Sequence, residues 1–336
     1  MEGTIVIDGE ENGAEVLPVV ESHHVANAEV EASNDGDQHR DEEDSATVPE
    51  TLNLASLHND QSAIGTVLQL QASARPTFAD YVDSGLDIDL CVAIDFTSSN
   101  GDPRIPGTLH HNRDGALNDY EETILSVGGS IAKYSSNKNF PVWGFGARYA
   151  GEVRHIFQCG QTSAVHSVEG VMDAYRSVFQ TDLTMSGPTV ISKVIQAAAA
   201  RANRYHKTVQ ANPKLKYCVL LVITDGVLNA SNLAETNRLL ESVREVPLST
   251  VIVGIGMADF SAMQDLEDTN GGVNRKNVTF APFRPNQHDP QALSRAALKH
   301  LPNQIVGYFT QNCFYPDHHR RQASIAESVI SELTTE

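Results

Sequence analysis

Two stretches decide the fold, residues 87–99 (DIDLCVAIDFTSS) and residues 217–226 (YCVLLVITDG). Each is a strand-length run of mostly apolar, often β-branched residues that ends in acidic and hydroxyl side chains. Apolar runs of this length are typical of parallel strands that are buried on both faces of a sheet. The two stretches therefore predict two central strands with polar groups at their carboxyl ends.

Outward from these strands, short apolar runs alternate with amphipathic stretches. The amphipathic stretches carry apolar residues at three- and four-residue spacing, which predicts helices. Strands that alternate with helices predict an α/β domain with a doubly wound, mostly parallel six-stranded sheet and helices on both faces. Further strands are predicted at 140–145, 249–255 and 277–283, and helices at 117–133, 190–200, 233–243 and 290–310.

Charge is distributed unevenly along the 336 residues. Residues 1–60 hold sixteen Asp or Glu and one basic residue, Arg40, whereas the remainder holds 27 acidic and 23 basic residues. The acidic segment is too polar to form a core, so we expect a disordered tail. A linker or short helix at 61–77, a domain at 78–316 and a C-terminal tail at 317–336 complete the predicted organisation. Neither part has the basic face that nucleic acid would require.

The termini and the hydropathy bear on location. The first residues lack the basic start and long apolar run of a signal peptide, and no apolar stretch reaches the ~18 residues of a membrane span. We therefore expect a cytoplasmic protein without a transmembrane segment. Two alternatives remain: the protein is held at the plasma membrane by bound partners, or it is located in the nucleus.

The four cysteines lie far apart in the sequence, without zinc-ligand spacing, and are predicted to be buried reduced thiols. They are Cys91, Cys159, Cys218 and Cys313. The histidine pair His110-His111 is predicted to lie in a surface loop.

The predicted site combines three fragments. The first strand is followed by Asp95, Thr97 and Ser99, the second by Asp225, and Thr189 precedes a predicted helix. Groups at the carboxyl ends of strands in an open α/β sheet converge in one crevice, so these five side chains are expected to meet.

Two carboxylates and three hydroxyls form an all-oxygen ligand set. Such a set suits Mg²⁺ or Mn²⁺, and a looser version would take Ca²⁺. A bound ion would keep an open position for an Asp or Glu of a protein partner. No general base accompanies the fragments, so we predict no catalytic residues, no other cofactor and no enzyme activity.

Several longer motifs resemble the copine A domain across residues 78–316. They are FADYVDSGLDIDLCVAIDFTSSNGDP (78–103), SVGGSIAKYSSNKNFPVWGFGA (126–147), GPT (187–189), LLVITDGV (220–227), STVIVGIGMADFSAM (249–263) and VTFAPF (278–283). The resemblance implies a von Willebrand factor A-like fold with a metal ion-dependent adhesion site. Its motif corresponds to Asp95, Thr97, Ser99, Thr189 and Asp225 here. It also implies a scaffold that links signalling proteins to membranes.

The resemblance leaves two alternatives open. Copines usually carry two calcium- and phospholipid-binding domains before this one, where this chain has the acidic segment, so membrane docking by that route is not expected. A related branch carries a RING finger, which suggests a ubiquitination-linked adaptor. Four isolated cysteines cannot build a RING, so intrinsic ligase activity is not expected. The other alternative is a structural domain with a vestigial metal site.

Overall fold

The computed structural model describes residues 75–113, 115–149, 151–209, 215–226, 228–267, 277–317 and 319. The predicted disordered tail lies outside these residues, as do most of the predicted linker and of the C-terminal tail. No helix in the described part of the chain is both long and apolar enough to cross a bilayer.

Helices separate the long strands, as the sequence predicts, whereas residues 139–166 form six successive short strands with no helix between them among the described residues. The strands are β1 (Asp87–Asp95), β2 (Asn139–Phe140), β3 (Val142–Phe145), β4 (Ala147–Tyr149), β5 (Glu152–Arg154), β6 (Phe157–Gln158), β7 (Val165–His166), β8 (Thr184–Met185), β9 (Lys216–Thr224), β10 (Leu248–Gly254) and β11 (Val278–Pro282). The helices are α1 (Phe78–Asp83), α2 (Asp119–Thr123), α3 (Gly129–Ala132), α4 (Ser167–Val178), α5 (Ser192–Val209), α6 (Ala230–Ser242), α7 (Ser261–Gln264), α8 (Pro290–Leu298) and α9 (Leu301–Gln311).

The main sheet has six strands in the order β11-β10-β9-β1-β3-β6. Every neighbouring pair is parallel except β3 with β6, which is antiparallel. The two strands at its centre, β1 and β9, are formed by the apolar runs within residues 87–99 and 217–226. The predicted fold class, a mostly parallel six-stranded α/β sheet, is confirmed.

Side chains of the central strands alternate between two apolar cores. In β1, Ile88, Leu90, Val92 and Ile94 pack with residues of α2, α4, α8 and α9, whereas Cys91 and Ala93 pack with residues of α5 and α6 on the other face. This period of two follows from strand geometry, and burial on both faces explains why the strand sequences are so apolar. Helices therefore cover both faces, as predicted.

Two predicted helices need correction, and one helix was missed. The single helix predicted at 290–310 is two helices, α8 and α9, because Pro302 in the first turn of α9 lacks the amide hydrogen to continue a helix. The helix predicted at 117–133 is interrupted by a π-helical turn at Ile124–Gly128. Helix α4 was not predicted, although it buries Val171, Met172, Tyr175 and Val178 at helical spacing.

Candidate metal centre

The candidate site lies at the carboxyl edge of the sheet, where β1 and β9 end side by side. Their register pairs Ile94 with Ile223, so Asp95 and Thr224 follow next on the two strands. The Thr224 hydroxyl donates a hydrogen bond to Oδ2 of Asp95, and both residues are 0% exposed. The fold thus buries the Asp95 carboxylate at the end of β1, where the apolar strand is followed by a polar loop.

The segment after β1 connects the two carboxylates through a backbone N–H and two hydroxyl groups. Oδ1 of Asp95 accepts a hydrogen bond from the backbone N–H of Thr97 at 2.8 Å. The Ser99 hydroxyl donates to Oδ1 of Asp225 at 3.0 Å, and Oγ1 of Thr97 lies 2.9 Å from Oγ of Ser99. Four of the five predicted ligand residues therefore form one hydrogen-bonded cluster.

Thr189, the fifth predicted ligand residue, packs against the residue that follows Asp225. A Cβ atom added to Gly226 would lie 2.2 Å from Oγ1 of Thr189, which leaves no room for any side chain there. The Thr189 carbonyl accepts a hydrogen bond from Nδ2 of Asn232 in α6 at 2.9 Å. Glycine at position 226 therefore permits the close approach of Thr189 to the cluster.

The charges of the two carboxylates are not balanced by cationic side chains in the described part of the chain. No described Lys, Arg or His side chain forms an ion pair with Asp95 or Asp225. Burial, followed by repulsion from the neighbouring Asp225 carboxylate, raises the pKa of Asp95 to about 7, against hydrogen bonds from Thr224 and Thr97 that lower it. Burial also raises the pKa of Asp225 to about 6, against hydrogen bonds from Ser99 and Thr97 that lower it. The cluster therefore favours any positive charge that can enter, a proton or a metal ion.

The donor atoms fit a hard divalent cation. All five predicted ligand residues offer oxygen, which Mg²⁺, Mn²⁺ and Ca²⁺ prefer over nitrogen or sulfur. The two carboxylates match the charge of such an ion, and the hydroxyls are neutral donors. Near-octahedral coordination by these side chains would leave a position for an outside ligand.

Sequence reasoning missed Asn100, which also donates a hydrogen bond to the cluster. Its Nδ2 donates to Oδ1 of Asp225 at 2.9 Å and to the Thr97 carbonyl at 3.1 Å. The Tyr120 hydroxyl donates to Oδ1 of Asn100 at 2.6 Å and thereby fixes the orientation of the amide. The signal was present in the sequence, since Asn100 directly follows Ser99 in the quoted SSNGD motif.

The prediction of a surface loop was wrong for His110, which is 2% exposed. Its Nε2 donates to the Asp95 carbonyl at 2.9 Å, and its Nδ1 accepts from the Tyr175 hydroxyl at 2.8 Å. Burial lowers the pKa of His110 to about 3, so the ring is neutral at physiological pH. The imidazole also stacks on Tyr120 and Phe96, which explains why a polar residue lies in the interior. His110 therefore supports the strand end that presents Asp95.

A cleft of about 840 Å³ adjoins the site between the loop after β1 and the segment after α4. Ser98, which lies between two predicted ligands, forms one end of the cleft, and Phe179, Leu183 and Met185 contribute apolar surface. Arg104 and Arg176 also line it, but each is paired with a carboxylate, Asp102 and Glu121 respectively. The cleft thus offers space for a chain segment beside the cluster without a strong net charge.

Comparison with known proteins identifies the family. The family model described as Copine matches residues 108–317, which is well over half of the chain. The chain belongs to the copine family. Copine-B of Dictyostelium discoideum is 34% identical over 268 residues, 77% of this chain and 49% of that protein. Protein BONZAI 1 of Arabidopsis thaliana is 39% identical over 246 residues, 69% of this chain and 41% of that protein. This copine chain therefore spans about half the length, or less, of these two curated relatives.

Solved structures resemble this copine domain at lower identity. The manganese-loaded TRAP protein of Plasmodium vivax is 15% identical with a TM-score of 0.39, over 62% of this chain and 71% of that chain. A von Willebrand factor type A protein from Catenulispora acidiphila is 16% identical with a TM-score of 0.34, over 66% of this chain and 43% of that chain. Copine family membership, together with the α/β fold described above, supports a protein-interaction module.

Proposed function

We propose that residues 78–316 form a non-enzymatic interaction domain that binds a divalent cation and captures an acidic residue of a partner protein. One observation carries the proposal. Two buried carboxylates, Asp95 and Asp225, lie in one hydroxyl-rich cluster without a cationic partner among the described residues. A buried pair of carboxylates is stabilised when a cation binds between them. Polar side chains that only cap the ends of strands would not need a cation, and this difference favours a working metal site.

Capture follows from the ligand set. The domain holds Mg²⁺ or Mn²⁺, with Ca²⁺ as the alternative, through side chains of Asp95, Thr97, Ser99, Thr189 and Asp225. An Asp or Glu of the partner protein occupies the remaining coordination position of the ion. The adjoining cleft accepts residues that flank the partner's carboxylate. A membrane is reached through the captured partner, and we place the domain in the cytoplasm as part of the same proposal.

The surroundings of the cluster favour binding over catalysis. His110 hydrogen-bonds the backbone carbonyl of Asp95, and both of its ring nitrogens are engaged, one by that carbonyl and one by the Tyr175 hydroxyl. A neutral, buried imidazole held in this way is a poor general base for a group bound at the cluster.

Partner capture tests the proposal. The full chain is immobilised and exposed to cytosolic proteins in Mg²⁺, Mn²⁺, Ca²⁺ or EDTA, and partners that elute with EDTA are identified by mass spectrometry. For one such partner, each Asp or Glu in the contact region is replaced by Asn or Gln. We expect a single replacement to abolish metal-dependent binding, because one carboxylate completes the coordination shell.

Matched variants separate the proposal from its alternatives. Asp95→Asn should lose metal-dependent partners, whereas Asp173→Asn, which changes an exposed carboxylate of α4, should keep them. Partners that bind equally in EDTA and to Asp95→Asn would contradict the proposal and favour a structural domain with a vestigial site. Recovery of ubiquitin ligase components in that metal-independent fraction would favour an adaptor role.

A further inference from the structure

A second group of potential ligands lies within the sheet, away from the carboxyl edge. Asp89 and Cys91 are two positions apart on β1 and point to the same face, and the register places Cys218 of β9 opposite Asp89. All three residues are at most 2% exposed. Their ligand atoms all lie within 4.8 Å of one another, and the two sulfur atoms are 3.9 Å apart.

We propose that Asp89, Cys91 and Cys218 form a second metal site, which takes a borderline or soft cation such as Zn²⁺. Two thiolates and one carboxylate form a ligand set that favours zinc over magnesium. This site could not be predicted from the sequence, because Cys91 and Cys218 are 127 positions apart and meet only through strand pairing.

The sulfur separation matches a shared ion. Tetrahedral zinc with bonds to sulfur of about 2.3 Å holds two sulfurs about 3.8 Å apart. The observed 3.9 Å fits this geometry without movement of either strand. A disulfide requires sulfurs about 2.0 Å apart. Closing one here would draw together two side chains of the paired central strands, so an ion fits the pair better than a covalent bond.

The carboxylate already has the outer partners typical of a metal ligand. Arg201 of α5 donates from Nε to Oδ2 of Asp89 and from Nη2 to Oδ1 at 3.1 Å. Tyr205, one helical turn further along α5, donates its hydroxyl to Oδ2. Partners of this kind orient a ligating carboxylate and leave it other lone pairs for the ion. A modest rotation would bring an oxygen of Asp89 into bonding range of an ion held by the sulfurs.

The charges balance when a divalent ion is present. Two thiolates neutralise the ion, and Arg201 neutralises Asp89, so the buried group carries no net charge. Each thiol releases its proton as the ion binds, because the thiolate is the ligand. The Arg201 side chain is 29% exposed, so the Asp89 carboxylate is covered from the α5 side by a side chain that reaches the surface.

Cobalt binding by the full chain tests the site. The protein is stripped with chelator under reducing conditions, given excess Mg²⁺ to saturate the oxygen cluster, and titrated with Co²⁺. We expect one cobalt ion per chain with thiolate-to-cobalt charge-transfer absorption, displaced by Zn²⁺. Cys91→Ala and Cys218→Ala should each abolish the absorption. Cys159→Ala and Cys313→Ala, a buried and an exposed thiol outside the group, should leave it unchanged.

Zinc-edge X-ray absorption on the wild-type protein keeps the proposal testable if a variant fails to fold. Two sulfur scatterers at about 2.3 Å would support the site. A shell of only nitrogen and oxygen would overturn the proposal, as would the absence of retained zinc or a cobalt absorption that persists in both Cys91→Ala and Cys218→Ala. Asp95→Asn should retain the cobalt signal, so failure of the oxygen cluster and failure of the thiolate site are distinguishable.

Discussion

Ser99 and Asp225 are 126 positions apart in sequence, yet the Ser99 hydroxyl donates a hydrogen bond to Oδ1 of Asp225 at 3.0 Å. The contact exists because β1 and β9 are parallel neighbours that end at the same edge of the sheet. It joins the two motifs that carry acidic residues into a single cluster. The following predictions depend on what that cluster holds.

Replacement of Asp95 by Asn should separate ion binding from the stability of the fold. In EDTA at pH 8, the free energy of unfolding of Asp95→Asn should exceed that of the wild type by about 1 kcal/mol or more, since a buried, uncompensated carboxylate is removed. Saturation with Mg²⁺ at a hundredfold excess over Kd should add about 2.7 kcal/mol to the wild type only. Urea unfolding measures both quantities, with Asp173→Asn as the control. A variant stabilised by Mg²⁺ as strongly as the wild type would contradict the assignment.

The pH dependence of stability should report the raised pKa values. Folded Asp95 and Asp225 hold protons more tightly than the unfolded chain, because their pKa values rise from 3.8 to about 7 and about 6. This contribution is fully present below about pH 4 and is lost as the pH rises to about 7. In EDTA, the unfolding free energy of wild type relative to Asp95→Asn/Asp225→Asn should therefore fall between pH 4.5 and pH 8.

Excess Mg²⁺ should reverse that trend, since the ion binds the ionised carboxylates and competes with protons. Urea unfolding of both proteins at each pH, with and without the ion, provides the comparison. Parallel curves for the two proteins in EDTA would mean that the carboxylates are not perturbed.

Much of this site could be predicted from sequence, because its ligands directly follow long apolar strands. Asp95 is the last residue of β1 and Asp225 directly follows β9, so parallel pairing of the two strands in register brings the two carboxylates together. Asn100 and His110 were missed for a different reason. Their roles depend on Tyr120 and Tyr175, whose hydroxyls reach them from separate helices, and no local pattern reveals such contacts.

In the rest of the fold, elements with a clear local pattern could be predicted, and those that depend on distant contacts could not. The long central strands have a clear apolar signal, whereas β6 and β8 contain two residues each and follow from pairing alone. Cys313, predicted to be buried with the other cysteines, is exposed, since it lies just past the end of α9. The other three cysteines are buried as predicted.

Replacement of Gly226 by Ala should weaken metal binding, because the new methyl group would clash with the Thr189 side chain. The added Cβ would lie 2.2 Å from Oγ1 of Thr189, so that hydroxyl must move away from the cluster. We expect Gly226→Ala to raise the Kd for Mg²⁺ at least about tenfold, equivalent to about 1.4 kcal/mol. Gly129→Ala, where nothing lies within 4 Å of the new Cβ, is the matched control. Isothermal titration calorimetry gives both values, and an unchanged Kd in Gly226→Ala would remove Thr189 from the ligand set.

Loss of His110 should destabilise the domain. His110→Ala removes the donor to the Asp95 carbonyl and the acceptor of the Tyr175 hydroxyl, and it opens a cavity beside Tyr120. We expect a loss of about 2–4 kcal/mol in unfolding free energy, whether or not metal is present. His288→Ala, at an exposed position, should change little. A loss seen only with bound metal would instead make His110 a direct contributor to ion binding.

Anomalous diffraction from crystals grown with Mn²⁺ tests the central claim most directly. The account predicts a manganese peak at the carboxyl edge of the sheet, within about 2–2.5 Å of oxygens from Asp95, Thr97, Ser99, Thr189 and Asp225. A further ligand, a water or a carboxylate from a neighbouring molecule, should complete the shell. No peak at this edge at saturating Mn²⁺, or a peak bound only by other residues, would contradict the account.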